Sequence, residues 1–180
     1  VTGPWALRPT ERLDFRPWRP DEASVLLDIR SRPEVARWLA DPNPWTSLDQ
    51  AAARIKRWTE VCASDDPFGV WAIVVQETGE VVGTVDLHTG PITEGPEIGW
   101  YLHPGAVGRG YATEAAGRVL AHGRAHQVGT IWAVMLPDND ASAQVASRIG
   151  MWDLGVLEDP WYGTPEEPLS RMFRDPPPPD

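Results

Sequence analysis

At 180 residues the chain is long enough for one domain with a full core and too short to suggest two, and with 42% apolar and 23% charged residues it is not expected to be disordered. A formal net charge of −10 argues against nucleic acid as a partner, because counterion release needs clustered Lys and Arg, and Lys56 is the only lysine. The single cysteine, Cys62, excludes an internal disulfide and a cysteine-based zinc site, no apolar run is long enough to cross a bilayer, and VTGPWALRPTER lacks the basic start and apolar stretch of a signal peptide, so a cytoplasmic protein without metal is expected.

Residues 1–10 carry two prolines and a glycine and predict an irregular lead-in. ERLDFRPW (Glu11 to Trp18) alternates Leu13 and Phe15 with polar neighbours and predicts a short strand. Pro20 and Asp21 start a helix with Val25, Leu26 and Ile29 on one face. Pro33 interrupts it, and PEVARWLAD (Pro33 to Asp41) adds a further turn or two with proline at the first helical position. After the proline-punctuated loop DPNPW, a second helix runs over TSLDQAAARIKRWTEVC, capped by Thr46 or Ser47, with Leu48, Ala52, Ile55 and Val61 at helical spacing.

From Phe68 the period changes from helical to alternating. VWAIVVQ, the turn ETGE with Gly79, and VVGTVDLH predict a hairpin. EIGWYL (Glu97 to Leu102) is the next strand. HPGAVGRGYATEA (His103 to Ala115) then passes through three glycines into a helix that keeps Ala112, Ala116, Val119, Leu120 and Gly123 near one face. TIWAVMLP is a buried strand. DNDASAQVASRIGM is a helix with Val145 and Ile149 inward and Gly150 at its C-terminal cap. MWDLGVLED and PLSRMFRD are closing strands around the loop PWYGTPEE, and the tail, residues 175–180, is proline-rich and expected to be disordered. The fold class is therefore mixed α/β, one domain over residues 11–174.

A strand, a glycine-rich turn and a helix start together make an anion site, because unpaired N–H groups and the helix dipole converge there. Other phosphate motifs fail on spacing. A Walker A loop needs GK[ST], and a dinucleotide fingerprint needs GxGxxG where this chain has GxxGxG.

Taken with PEVARWL, ETGEVVGTVDL, EIGWYLHP, GRGYATEA and NDASAQVASRIGM in that order, the chain resembles the GCN5-related N-acetyltransferase superfamily, in its ribosomal-protein N-terminal acetyltransferase-like branch. The resemblance implies a mostly antiparallel central sheet of about six to seven strands flanked by about four helices. It also implies acetyl-CoA as co-substrate and a small-molecule or peptide amine as acceptor, with a homodimer possible. The superfamily's coenzyme A turn falls on Val107 to Ala112, with Val107 departing from the usual Gln or Arg. Backbone of Trp100, Tyr101 and Leu102 would bind the acetyl carbonyl. Gly108, Arg109, Gly110, Tyr111, Ala112 and Thr113 would hold the pyrophosphate, Asn139 the pantetheine arm, and Ser142 the sulfur, where its hydroxyl can protonate the departing thiolate. A tyrosine that many relatives place one turn further is here Ala146.

Acetyl transfer to an amine also needs a proton acceptor. Glu97, at the start of the strand beside the donor, is one candidate, and Asp86 and His88 on the preceding strand are rivals. Trp38, Trp45, His88, Trp161 and Tyr162 are candidates to line the acceptor pocket, where aromatic rings can grip an apolar group or a cation. A domain that binds acyl-CoA without turnover is the alternative function.

Overall fold

The computed structural model describes residues 6–62, 67–90, 93–158 and 169–177. Strand β1 is Leu13–Pro17, followed by α1 (Ala23–Arg30), α2 (Pro33–Ala36) and α3 (Leu48–Cys62). Then come β2 (Gly69–Val75), β3 (Val81–Thr89), β4 (Pro96–Leu102), α4 (Tyr111–Ala125), β5 (Ile131–Met135), α5 (Asp140–Arg148), β6 (Trp152–Glu158) and β7 (Leu169–Asp175). Short 3₁₀ turns precede α1 and α4. The loop PWYGTPEE, with Trp161 and Tyr162, lies outside the described residues, as do the last three residues of the tail.

All seven strands form one sheet in the order β1-β2-β3-β4-β5-β7-β6. Every pairing is antiparallel except β4 with β5, which is parallel. β2 is buried along its whole length, so its run GVWAIVV needs no alternation. β3 alternates only in its second half, where Asp86 and His88 are partly exposed on one face and Val85 and Leu87 are buried on the other. Val85 and Leu87 enter a core with Val119 and Leu120 of α4. The other face of the sheet packs Ala72 and Val74 against Leu26 and Ile29 of α1 and Ala51 and Ile55 of α3.

Local chemistry accounts for most element ends. The hairpin turn takes Gly79 at φ +72°, where a side chain would strain the backbone. Ser47 is the cap of α3: its hydroxyl accepts from the Gln50 amide while the Gln50 side chain accepts from the Thr46 and Ser47 amides. Gly150 caps α5 at φ +85°.

Two helix faces differ from expectation. Val25 is exposed, and only Leu26 and Ile29 of its trio face the core. In α3 the buried stripe is Ala51 and Ile55, whereas Leu48, Ala52 and Val61 are exposed. The sheet side of the helix runs through Ala51 and Ile55 to Cys62, whose sulfur meets the Val70 amide of β2, and Ala52 and Val61 lie off that stripe. Trp58, which the spacing did not single out, is drawn in by Trp18, with ring centroids 6.2 Å apart.

Candidate active site

β4 and β5 share a single register pair, Glu97 with Trp132, and part beyond it. A cleft of about 400 Å³ opens where they separate. Cross-strand partners share a sheet face, so the ladder of β3 and β4 sorts the lining residues. Thr84 faces Tyr101, Asp86 faces Gly99 and His88 faces Glu97, all on the side of α1 and α3. Ile98, Trp100 and Leu102 point the other way, toward α4. The cleft is therefore lined from both sides of the sheet. Glu34, Val35, Trp38 and Leu39 bound it on one side, and Val107, Ala112, Asn139, Ser142 and Val145 on the other.

At the α4 side, Gly108 and Gly110 sit at φ +79° and +81°, and an alanine at Gly108 would meet nothing but strain. The amides of Gly108 to Thr113 make no hydrogen bond to another element among the described residues. They are the orphan donors of a helix start. The turn is held by Arg12, just before β1. Arg12 donates to the Arg109 carbonyl at 2.9 Å and pairs with Glu114 in the first turn of α4 at 2.6 Å. Burial opposes the Glu114 charge, but hydrogen bonds from Thr10 and Arg12 outweigh it and hold its carboxyl below the usual range. Arg109 is exposed, Thr113 half-buried, and the Tyr111 ring is core under the Arg12 guanidinium, 5.1 Å from its centroid.

Asn139 is buried and accepts the Ser142 amide proton at 3.1 Å, making it the cap of α5. The Ser142 hydroxyl, half-buried on the cleft wall, makes no hydrogen bond among the described residues. Ser147 rather than Ser142 bonds back to a carbonyl, that of Ala143, at 2.9 Å. Asn139→Ala should remove about 1 kcal/mol of capping, a fall in Tm of roughly 2–4 °C for a chain this size, readable by thermal denaturation.

On the opposite side, the His88 ring meets Asp86 Oδ1 through Nδ1 at 2.7 Å, and its Nε2 lies 3.9 Å from Glu97 Oε1. Burial works against a charged ring, yet the hydrogen bond and charge of Asp86 and the charge of Glu97 prevail and push His88 up to about 9. Glu97 is 3% exposed. Burial pushes the Tyr101 phenol up to about 12, so it stays neutral at physiological pH. Thr84, its partner across the ladder, opposes that rise through a side-chain hydrogen bond, but burial prevails.

Of the predicted acceptor aromatics, Trp38 lines the cleft and Trp45 does not. Trp45 is 6% exposed in the core beneath α1, with the Arg30 guanidinium 4.5 Å from its ring and its amide bonded to the Arg30 carbonyl. The ring belongs to the buried cluster of Leu26 and Ile29 of α1 with Ala51 and Ile55 of α3, so Trp45 is corrected to a core residue. Glu34, Leu39 and Val145 line the cleft without having been singled out, since nothing in their local spacing distinguishes them from surface or core.

A glycine-rich helix start, a parted pair of parallel strands and an Asn-capped helix thus meet at one cleft. Comparison with known proteins shows the family. The family model for the acetyltransferase (GNAT) domain matches residues 12–152, and the chain belongs to that family of acetyltransferase enzymes. The uncharacterized N-acetyltransferase YoaA of Bacillus subtilis is 30% identical over 161 residues, covering 87% of this chain and 89% of that protein. The fold is also similar to the microcin C7 self-immunity acetyltransferase MccE, in complex with acetyl-CoA and AMP, at a TM-score of 0.78 and 15% identity, covering 96% of each chain. RimL, a ribosomal L7/L12 N-terminal acetyltransferase in complex with coenzyme A, superposes at 0.77 with 18% identity, covering 93% of this chain and 96% of that one.

Proposed function

We propose that the chain moves an acetyl group from acetyl-CoA to a primary amine by direct attack within a ternary complex. The observation that carries this reading is the cleft through the sheet, which lets donor and acceptor approach one point from opposite faces. The amides of Gly108 to Thr113 take the pyrophosphate, and the Asn139 side chain meets the pantetheine arm. Backbone donors along Trp100 to Leu102 receive the acetyl oxygen as negative charge builds on it. The amine enters past Glu34, Trp38 and His88, where the carboxylate of Glu97 holds its ammonium form. Once the ammonium has released one proton the C–N bond forms and the C–S bond breaks, and the Ser142 hydroxyl gives its proton to the leaving sulfur while its oxygen receives the second proton of the attacking nitrogen. Cys62 lies at the end of α3, outside the cleft and in contact with Val70, so no acetyl-cysteine step is proposed.

The test is release of free thiol from acetyl-CoA with a panel of peptides, polyamines, amino acids and aminoglycosides. Turnover with at least one class is expected. Coenzyme A binding without turnover on any of them would contradict the reading in favour of a binding domain.

A further inference from the structure

Resting on that acetyl-transfer reading, we propose that His88 is the catalytic base that takes the acceptor's proton, and that Asp86 is the positioning residue that fixes its ring. Asp86 and His88 are two apart on β3, so both side chains stand on the cleft face of the sheet. The 2.7 Å contact engages Nδ1, which places the proton there and leaves the Nε2 lone pair as the accepting atom of the neutral ring. Nε2 is on the side of Glu97, the group that holds the ammonium in the reading above. The side chain is 41% exposed, so a proton it accepts has a route to solvent.

Two glycines make room for this line of groups. A Cβ at Gly99 would sit 2.9 Å from Asp86 Oδ1. One at Gly90 would collide with Glu97 Oε2. Backbone without side chains at these two positions lets both carboxylates flank the ring.

Basicity also favours the ring over a carboxylate. An alkylammonium loses its proton near the lysine value of about 10.4, so transfer to an ordinary carboxylate climbs about six pH units. Transfer to His88, raised to about 9, climbs far less. The ionisable groups that line the cleft with this ring are Asp86 on β3, Glu97 and Tyr101 on β4, and Glu34 on the α2 wall. Of these, Asp86 and Glu97 raise it. In the step itself the ammonium N–H bond breaks and an Nε2–H bond forms. The electron pair left on nitrogen attacks the thioester carbonyl, the second proton lost from that nitrogen replaces the one Ser142 gives to the departing sulfur, and the imidazolium returns its proton to solvent.

The experiment is the pH dependence of kcat at saturating acceptor, beside an NMR titration of the His88 ring among the chain's four histidines. In the wild type both should show an inflection near pH 9, with kcat rising toward it. Asp86→Asn should move both inflections down by a pH unit or more, toward the ordinary histidine value. His88→Gln should lower kcat about 100-fold or more and abolish the inflection while coenzyme A affinity is retained. An inflection that persists in His88→Gln, or stays in place in Asp86→Asn, would overturn the inference with the acetyl-transfer reading intact. Absence of wild-type turnover on every amine would overturn that reading, and this inference with it.

Discussion

Ser142→Ala is expected to lower kcat by about 100-fold while leaving the affinity for coenzyme A within about twofold. General acid–base groups contribute roughly 10²–10⁴-fold. The low end applies because a thiol ionises near 8.5, which makes its anion a competent leaving group even without a donor. The fold has no stake in the hydroxyl, which makes no hydrogen bond among the described residues. Alanine is also the better helix former. A thermal midpoint unchanged beside a fallen kcat therefore separates chemistry from folding. A kcat within threefold of wild type would remove Ser142 from the proton path.

Gly83→Ala should be more damaging, and to both properties. A Cβ there would run into the Tyr101 carbonyl and come within 3.0 Å of Leu102 Cα, which are backbone atoms of β4 that cannot swing aside. β3 and β4 would have to separate in the stretch proposed to hold the acetyl oxygen. Forced overpacking of this kind costs roughly 1–3 kcal/mol, a Tm loss of roughly 3–10 °C. Thiol release should fall beyond what the loss of folded protein explains. Denaturation and turnover measured on the same preparation check both parts. A variant with wild-type stability and rate would show that this part of the ladder is looser than the packing implies.

How far the sequence could be read depended on the range of the interactions. The hairpin around Gly79, the Ser47 cap and the Gly108–Gly110 turn were legible because each is decided within a few residues, by a positive φ or by one side chain meeting a nearby amide. The seven-stranded sheet followed from strand periodicity together with the family resemblance. The cleft was not legible. It exists because β4 and β5, separated by about thirty residues, keep one register pair and then part, and no local pattern records that. For the same reason Trp38 and Trp45 looked alike in sequence, although one lines the cleft and the other lies under Arg30. Glu97 was recognised as a candidate, yet the proximity of His88 Nε2 depends on cross-strand register, which fixes partners only once the strands pair. In α3, helical spacing picked Ile55, which is buried, but also Leu48, Ala52 and Val61, which are exposed, and missed Ala51. Periodicity tells which residues share a stripe but not which part of it the sheet covers.

The central claim is that the donor lies across the gap between β4 and β5, with its phosphates on the start of α4. A crystal structure of the protein with coenzyme A tests it most directly. The account predicts the pyrophosphate within hydrogen-bond distance of the amides of Gly108 to Thr113, and the sulfur beside the Ser142 hydroxyl and the backbone of Trp100 to Leu102. Coenzyme A bound elsewhere, or with its sulfur outside the gap between the two strands, would contradict it.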